Sequence, residues 1–459
     1  MAAEPFQVCV DVGSTFTKAA AVGLDGRLLA TAQAPTTVGT DVLAGLDAAV
    51  AALEVGPVRD ADLLVCSSAG GGLRLAVIGQ ERVVSAEAGR RVALSAGARV
   101  VGVWAGPLDP SGADAVAEAV PDVVLLVGGT DGGDPEILLH NARAWGRSEV
   151  AAPVVVAGNA EVADEATRLV RRRGRRVMRS ANPLPRIGVL DPEPAREVIR
   201  DVFIRHVIGG KGLSSGPRFA RLVRGATPDA VLAGVEVVAA AAGAQGAGDV
   251  LVIDVGGATT DVFSAVGSPA ERDRNAGDSA LVEPVETSEL SVDSVVGRAL
   301  AARTVEGDLG MRWSAPDVVR VAQAERLLEA DAAGLGEAAV RRHAEPGFLP
   351  ATAAEVAIDL ELAGLAAVVA VRRHARPGGG GRDLRDTGLV IGSGGALRHA
   401  TPVQGRAVLD RVLADRAGGW ARPVSPRVVI DTDYLLAPIG LLALAGHADA
   451  AHHLAIQLL

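Results

Sequence analysis

Two stretches of the chain combine an acidic residue with a glycine turn and could bind a phosphorylated ligand. In the first, an apolar run ends at Asp11, a turn follows, and a second extended run contains Lys18. Apolar runs on either side of a tight turn predict two antiparallel strands. The turn residues Gly13, Ser14 and Thr15 offer closely approachable backbone N–H groups and two hydroxyl groups. Because Lys18 adds a positive charge, the turn suits a phosphate group.

Asp11 needs a cation if a phosphate binds at this turn. A carboxylate and a phosphate about 4 Å apart repel each other by roughly 4 kcal/mol at an effective dielectric constant near 20. Mg²⁺, bound directly or through its water ligands, removes this repulsion. An ordinary hairpin has the same local pattern, so this stretch alone makes the phosphate and the metal only candidates.

The second stretch repeats the first. Asp254, Gly256 and Thr260 correspond in order to Asp11, Gly13 and Thr17, 243 residues later. This separation is too long for a solenoid repeat and predicts two related lobes, each offering one phosphate loop to a shared cleft. The residues predicted to contact the ligand from this second turn are Gly256, Gly257, Thr259, Thr260 and Asp261.

A third motif lies further along the chain. Gly392, Ser393, Gly394 and Gly395 follow an apolar run and precede a predicted helix. Backbone without bulky side chains at a helix start suits a flat adenosine ring or an α-phosphate. The three motifs thus predict two phosphate loops and one place for an adenosine ring or an α-phosphate.

The ordered set of motifs resembles the phosphate-one, phosphate-two and adenosine motifs of the actin, sugar-kinase and heat-shock-chaperone ATPase superfamily. Within it, the chain is most similar to the MutL-type proteins that accompany adenosylcobalamin-dependent glutamate mutase, which are unrelated to the mismatch-repair protein of the same name. The closer likeness spans essentially the whole chain. It rests on the strings at 127–133, 254–261, 303–312 and 434–440.

The resemblance implies an α/β fold with two actin-like (RNase H-like) lobes around a nucleotide cleft. The first lobe is predicted at 1–246 and the second at 247–459, with a C-terminal helix that can return to the first lobe. Mg²⁺ and ATP are the implied cofactors, with Asp11 and Asp254 holding the metal through water and Lys18 steadying the phosphates.

The resemblance also implies a chaperone-like activity. ATP hydrolysis would change the angle between the lobes and loosen an adenosylcobalamin-dependent mutase whose cofactor has lost its adenosyl group, so that the dead cofactor can be exchanged. Four residues are candidates for orienting the attacking water: Asp11, Asp254, Asp131 and Glu306. The sequence names neither the target mutase nor the oligomeric state.

Three other functions use similar motifs and stay open at this point. A small-molecule kinase of the same superfamily would produce a phosphorylated metabolite. A hydantoinase-like amide hydrolase would couple ATP to ring opening. An actin-like filament or membrane scaffold would pellet in an ATP-dependent manner.

Between about 99 and 182, short apolar strands alternate with helical stretches, which predicts an additional parallel α/β segment. Ligands of such sheets lie at the carboxyl ends of the strands. The loops there are small and polar and contain Thr130, Asp131 and Asn159. They are either plain turns or the lining of a nucleotide or partner surface.

The segment 303–312 places Glu306 and Asp308 among two arginines and two glycines. These charges either pair with one another at the surface or present a carboxylate to the cleft, where it would orient the attacking water. A long surface loop is predicted at 268–294, and a linker at 377–382.

Composition excludes several classes of protein. The two cysteines, Cys9 and Cys66, lie in apolar runs without C-x-x-C spacing, so they are predicted to be core thiols rather than ligands of an iron–sulfur cluster. A net charge of −10 argues against a general nucleic-acid binder. The basic run 171–176 is predicted to be a solvated helix end, with a docking patch for an acidic partner as the alternative.

No N-terminal signal is visible, because Glu4 and Asp11 interrupt the first apolar stretch. The two most apolar segments, 230–243 and 435–446, are predicted to be buried helices too short to span a membrane. We therefore expect a soluble, cytoplasmic protein without a membrane partner.

Overall fold

The computed structural model describes residues 5–69, 72–171, 174–209, 212–267, 300–329, 333–376, 383–419 and 421–459. The chain divides into two compact units. Unit 1 takes in Met1–Ala69, Ala230–Pro269 and Ala301–Leu459, and unit 2 takes in Gly70–Asp229 and Ala270–Leu300. These units cut the chain differently from the two lobes expected at 1–246 and 247–459, which stay a prediction. The loop predicted at 268–294 and the linker at 377–382 lie outside the described residues.

In chain order, the strands are β1 (Phe6–Val12), β2 (Phe16–Gly23), β3 (Leu28–Pro35), β4 (Leu63–Ser67), β5 (Leu73–Gly79), β6 (Ala98–Ala105), β7 (Val123–Leu126), β8 (Val154–Val156), β9 (Val177–Arg179), β10 (Val223–Ala226), β11 (Asp249–Val255), β12 (Thr260–Ala265), β13 (Ala301–Glu306), β14 (Thr387–Ser393) and β15 (Arg427–Ile430).

The helices are α1 (Val42–Ala51), α2 (Ser85–Ser95), α3 (Pro110–Glu118), α4 (Glu136–Arg147), α5 (Ala163–Val170), α6 (Glu193–Val202), α7 (Arg218–Leu222), α8 (Thr227–Ala244), α9 (Ala315–Ala324), α10 (Ala333–Ala344), α11 (Ala353–Ala375), α12 (Gly395–Arg398), α13 (Pro402–Ala414), α14 (Leu436–Leu444) and α15 (Ala448–Leu458).

Unit 1 contains two sheets built on the same plan. In the first, β1 pairs antiparallel with β2 and parallel with β4, and β2 pairs antiparallel with β3. In the second, β11 pairs antiparallel with β12 and parallel with β14, and the strand order is β13-β12-β11-β14-β15. A three-strand meander whose first strand also pairs with a parallel strand is the arrangement of an RNase H-like, actin-like lobe. The predicted fold class is confirmed.

One hydrophobic core of unit 1 takes side chains from both sheets and from α8, α14 and α15. At its centre α8 and α14 touch through their backbones. A Cβ built on Gly234 would lie 2.0 Å from the carbonyl oxygen of Leu436, and one on Gly440 would lie 1.7 Å from that of Ala230. The absence of a side chain at these two positions therefore allows the helices to cross.

The helix α8 is longer than predicted. It has 18 residues and is, by length and composition alone, apolar enough to cross a membrane, so the expectation that residues 230–243 are too short was wrong about its length. In the structure 61% of this helix is buried. Val235 and Val238 are fully buried in the core of unit 1. The packing is therefore that of a core helix.

Unit 2 contains a parallel sheet with the order β6-β5-β7-β8-β9. This confirms the additional parallel α/β segment. The sheet begins at β5, before the predicted start near residue 99. The sequence did not reveal this strand because no helical stretch precedes it, and the strand-helix alternation becomes visible only after it.

Three helical stretches of the chain are interrupted. The stretch 316–344 forms α9 and α10, and the stretch 433–459 forms α14 and α15, which are separated at Gly446, where φ is +86°. A positive φ ends a helix without steric cost when the residue is glycine. The helix α6 ends at Val202, and the chain continues as a π-helical turn over Phe203–Ile208.

Candidate functional site

The two glycine turns have the same backbone geometry. The N–H of Gly13 donates to the carbonyl of Phe16 at 3.2 Å, and the N–H of Gly256 donates to that of Thr259 at 2.9 Å. A Cβ built on Gly13 would lie 2.7 Å from the carbonyl oxygen of Phe16, and one built on Gly256 would lie 2.9 Å from that of Thr259. Both turns therefore need glycine at this position.

The strand register places a charged pair beside each turn. Asp11 lies opposite Lys18 in the β1–β2 pair, and Asp254 lies opposite Asp261 in the β11–β12 pair. Residues directly opposite in antiparallel strands share one face of the sheet. The sequence repeat is thus a structural repeat in which the second copy carries a carboxylate where the first carries an ammonium group.

The two turns face each other within unit 1. A Cβ built on Gly257 would lie 3.7 Å from Oγ1 of Thr15, so the second turn approaches the first at van der Waals distance. Ser14, Thr15 and Gly257 are half-buried. The charges of Asp11 and Lys18 both act on Asp254. The convergence of the two acidic turns predicted from the sequence is therefore present in the structure.

Asp11, next to the first turn, is buried and only 3% exposed. Oδ2 accepts a hydrogen bond from the Tyr434 hydroxyl at 2.9 Å and lies 3.8 Å from Nζ of Lys18. Oδ1 accepts a weak hydrogen bond from the thiol of Cys66 at 3.6 Å. Cys9 and Cys66 are both buried thiols, as predicted for core cysteines.

Asp254 differs from Asp11 in its surroundings. Its carboxylate has no hydrogen-bond or ion-pair partner within the described part of the chain. Burial raises its pKa from 3.8 to about 7, Lys18 acts in the opposite direction, and three further carboxylates raise it again: Asp261, Asp11 and Asp431. Asp254 is thus a poorly compensated acid that a cation would stabilise.

Asp261 and Thr260, both predicted to bind the nucleotide, have protein partners. Asp261 accepts hydrogen bonds from the Thr259 hydroxyl at 2.7 Å and from Nε of Arg303 at 2.8 Å. Thr260 is fully buried, and its hydroxyl donates to the carbonyl of Leu309 at 2.6 Å. These side chains stabilise the second turn, which leaves its backbone to meet a ligand.

The third motif adjoins the second turn. Ser393 pairs with Asp254 in the parallel β11–β14 register. Gly394 follows with φ +102°, and a Cβ there would lie 2.2 Å from the carbonyl oxygen of Val255. Gly392 lies within β14, packed under Leu409. Gly395 is the first residue of α12, and a Cβ built on it would meet no atom within 4 Å. The glycines thus bring this motif against the strand that carries Asp254.

Glu306 and Asp308 share one arginine. Nη1 of Arg373 donates to Glu306 at 2.5 Å and to Asp308 at 2.7 Å, and Nη2 donates to Asp308 at 2.9 Å. Burial raises the pKa of Glu306 despite this arginine, whereas for Asp308 the arginine outweighs burial and lowers the pKa. The charges do pair, but with Arg373 on α11 rather than with the arginines of their own segment.

Asp131 belongs to unit 2. Oδ1 accepts hydrogen bonds from the N–H of Ala160 at 2.9 Å and from the side-chain amide of Asn182 at 3.0 Å. The side chain of Asn159 likewise donates to the carbonyl of Gly133 at 2.9 Å. These polar side chains join the loops at the carboxyl ends of β7, β8 and β9, which is what the plain-turn interpretation expects.

The basic run 171–176 is not simply a solvated helix end. Arg175 is buried, and its guanidinium donates to the carbonyls of Trp145, Ser148 and Val150. The prediction was wrong for this residue, because a cation can satisfy backbone carbonyls at the end of α4 and in the loop that follows it.

The structure adds site residues that motif analysis missed. Asp431 is fully buried next to Tyr434 and accepts backbone N–H groups of Leu435 and Leu436 at 2.7 and 3.3 Å. Burial raises its pKa to about 6. Like Asp11 and Asp254, it ends an apolar strand, and this shared pattern would have identified it. Arg303 begins the segment 303–312, but nothing in the sequence indicated its pairing with Asp261.

Comparisons with known proteins agree with the geometry. The family model described as MutL protein matches residues 7–459. Protein MutL of Clostridium tetanomorphum is 35% identical over 458 residues, and the match covers 95% of each chain.

Similarity to solved structures is more distant. A nucleotide-free acetone carboxylase structure is 14% identical, with 95% of this chain and 70% of that chain covered and a TM-score of 0.42. An ATP-dependent caprolactamase from Pseudomonas jessenii is 15% identical, with 95% and 70% covered and a TM-score of 0.37. These values say nothing about function. The family match, by contrast, spans nearly the whole sequence, and the chain belongs to the MutL protein family, as its motifs predicted.

Proposed function

We propose that this protein is a Mg²⁺-dependent ATPase that reactivates an adenosylcobalamin-dependent mutase of the glutamate mutase type. One observation carries the proposal: two acidic glycine turns, 243 residues apart in the chain, meet in unit 1. The cytoplasmic location expected from the sequence is part of the proposal.

The residues present fit Mg²⁺ and ATP. Gly13 and Gly256 keep each turn tight enough for backbone to approach a phosphate. Among the described residues no group of three acidic, histidine or cysteine side chains forms a metal cage. Mg²⁺ characteristically takes one or two carboxylates and completes its coordination with water and substrate phosphates. Asp11 and Asp254 would supply those carboxylates.

The protein's own contribution is positioning and charge. Lys18 would steady the phosphates, and the turn backbones would orient them, which is most of what phosphoryl transfer to water requires. When bound, Mg·ATP supplies the transferable phosphoryl group and the metal's positive charge. The attacking water would be aligned by one of Asp11, Asp254, Asp131 and Glu306. The pairing of Glu306 with Arg373 and the hydrogen bonds of Asp131 favour the first two.

The hydrophobic core shared by the two sheets of unit 1 would allow ATP hydrolysis to change the angle between them. The strands that carry the two acidic turns pack on α8 and α14, so a ligand held by both turns links the two sheets. Loss of the γ-phosphate removes part of that link and changes the preferred angle between the sheets. We propose that this change loosens a mutase that carries a damaged cobalamin.

ATP hydrolysis is the first test. We expect the wild-type protein to release phosphate from ATP only with Mg²⁺. Asp11→Asn should abolish this activity. Asp25→Asn, which changes an exposed aspartate in the β2–β3 turn, should leave it unchanged. Equal turnover in wild type and Asp11→Asn would overturn the assignment of the site.

Reactivation is the second test. Glutamate mutase inactivated with hydroxocobalamin is incubated with the protein, Mg·ATP and free adenosylcobalamin, and mutase activity is followed. We expect recovery with the wild type and none with Asp11→Asn. ATP hydrolysis without any recovery would overturn the mutase as target. A phosphorylated metabolite appearing in place of free phosphate would identify a kinase instead.

A further inference from the structure

Tyr434 is the only tyrosine of the 459-residue chain and has an unusual backbone. Its φ is +58°, in the left-handed region that bulky residues rarely occupy. Such a conformation costs on the order of 1–3 kcal/mol and persists only where the surroundings fix it. Here Asp431 fixes the backbone by accepting the N–H groups of Leu435 and Leu436. Strain that is held in place by a neighbour points to a role for the side chain.

The side chain of Tyr434 makes two contacts with the site. Its hydroxyl donates to Oδ2 of Asp11 at 2.9 Å. Nζ of Lys18 lies 3.5 Å from the centroid of its ring and 3.8 Å from the same Oδ2. Asp11, Lys18 and Tyr434 thus form a closed triangle.

The two contacts do different things. A hydrogen bond from a buried hydroxyl fixes the rotation of the Asp11 carboxylate, because Tyr434 is 7% exposed and water competes little. An ammonium group over an aromatic face gains about 0.5–2 kcal/mol, depending on how far it is desolvated. The side chain of Lys18 is 25% exposed, so it is held but still reachable.

We propose that Tyr434 is a positioning residue for the ATP site: its hydroxyl orients the Asp11 carboxylate, and its ring holds the Lys18 ammonium beside that carboxylate until a phosphate group takes over as its partner. The inference rests on the proposed function. It also explains why residue 434 is an aromatic with a hydroxyl, since a core residue would need only the apolar ring.

Lysine chemistry tests the ring contact without any nucleotide. The chain has two lysines, Lys18 and Lys211, so acetylation by acetic anhydride followed by peptide mass spectrometry gives one rate for the site and one internal reference. We expect Tyr434→Met, which keeps an apolar side chain of similar length, to speed acetylation of Lys18 relative to Lys211 several-fold. Tyr434→Phe keeps the ring and should leave the ratio within twofold of wild type.

Kinetics test the hydroxyl contact. Tyr434→Phe should lower kcat about 10- to 100-fold while KM for Mg·ATP changes little, because only the orientation of Asp11 is lost. Tyr434→Met should also raise KM about tenfold, because Lys18 is no longer held. Far-ultraviolet circular dichroism and thermal unfolding establish that each variant is folded.

Specific outcomes overturn the inference. Wild-type kcat in Tyr434→Phe would remove the hydroxyl from the mechanism, and an unchanged acetylation ratio in Tyr434→Met would remove the ring. If Tyr434→Met does not fold, Tyr434→Leu takes its place in the acetylation assay, because it also removes the aromatic ring. Absence of ATP turnover in the wild type would overturn the proposed function, whereas the acetylation ratio would still decide whether Tyr434 holds Lys18.

Discussion

The backbone N–H of Trp313 donates a hydrogen bond to the carbonyl oxygen of Gly257, 3.0 Å away. The N–H of Arg312 reaches the same oxygen at 2.8 Å, and the N–H of Met311 donates to the carbonyl of Gly256 at 3.0 Å. Residues 311–313 are therefore attached to the second turn through three backbone hydrogen bonds. Trp313 is 51% exposed, so its indole is in contact with solvent while its backbone is bonded to the turn.

Trp313 should report ligand binding at the second turn. We predict that adding Mg·ATP changes its fluorescence, because movement of Gly257 is transmitted to Trp313 through the backbone. Trp313→Phe should remove most of the change, and Trp104→Phe, a substitution in unit 2, should retain it. Full retention of the signal in Trp313→Phe would show that the second turn does not move on binding.

Asp254 should be needed for turnover but not for folding. We predict that Asp254→Ala abolishes ATP hydrolysis while circular dichroism and cooperative unfolding stay intact. The substitution removes a charge on the metal side of the site rather than core volume. Unchanged hydrolysis in this variant would exclude the second turn from the mechanism.

The same residue predicts a pH dependence of stability. The pKa of Asp254 is about 7 in the folded protein and 3.8 when unperturbed. As the pH rises, the unfolded chain therefore loses this proton at a lower pH than the folded protein does. The free energy of unfolding consequently falls between about pH 4 and about pH 7. Each pH unit between the two pKa values lowers the free energy of unfolding by about 1.4 kcal/mol. Asp431, with a raised pKa of about 6, adds to the fall.

Urea denaturation without nucleotide measures this effect. Asp254→Asn should be more stable than wild type at pH 8 and equally stable at pH 4. The free energy of unfolding of this variant should therefore fall less steeply with pH than that of the wild type. Asp25→Asn, at an exposed turn, should follow the wild-type slope. Parallel slopes for wild type and Asp254→Asn would contradict the raised pKa.

The sequence predicted the parts of this protein that local patterns determine. Asp11 and Asp254 were found because each ends an apolar strand and precedes a glycine turn, and the repeat of that pattern predicted that they converge. The parallel strands of unit 2 were found from their alternation with helices. These features depend on near neighbours in the chain, which motif analysis detects.

Long-range partners could not be predicted. Tyr434 reaches Asp11 across 423 residues, and Arg373 reaches Glu306 across 67. Tyr434 begins the string 434–440, but nothing in that string indicates which side chain its hydroxyl contacts. Arg373 resembles the arginines that helices commonly carry near their C-terminal ends. The partner of a charged side chain is fixed by tertiary packing, so the sequence left Glu306 open between pairing and catalysis.

The glycines of the third motif should differ in their tolerance of a side chain. Gly394→Ala places a Cβ 2.2 Å from the carbonyl oxygen of Val255 at a φ of +102°, whereas a Cβ on Gly395 meets nothing within 4 Å. We predict that Gly394→Ala lowers the midpoint of thermal unfolding by several degrees or prevents folding. Gly395→Ala should unfold within about 2 °C of wild type. Equal midpoints for the two variants would contradict the close approach of Gly394 to β11.

The buried pair of Arg303 and Asp261 should contribute far more to stability than an exposed pair. Nε of Arg303 lies 2.8 Å from Asp261, and both side chains are nearly buried, whereas Arg385 and Asp383 are largely exposed. Arg303→Met leaves the Asp261 carboxylate buried without its main cation, which typically costs about 3–5 kcal/mol.

Urea denaturation compares the two pairs. Arg385→Met, which breaks the exposed pair, should leave the free energy of unfolding close to the wild-type value, because water already solvates both charges. Adding Asp261→Asn to Arg303→Met should recover part of the lost stability, because it removes the uncompensated charge rather than restoring a contact. If the double variant is less stable than Arg303→Met, then Asp261 stabilises the second turn through Thr259 more than the unpaired charge destabilises it, and the electrostatic explanation of Arg303 is wrong.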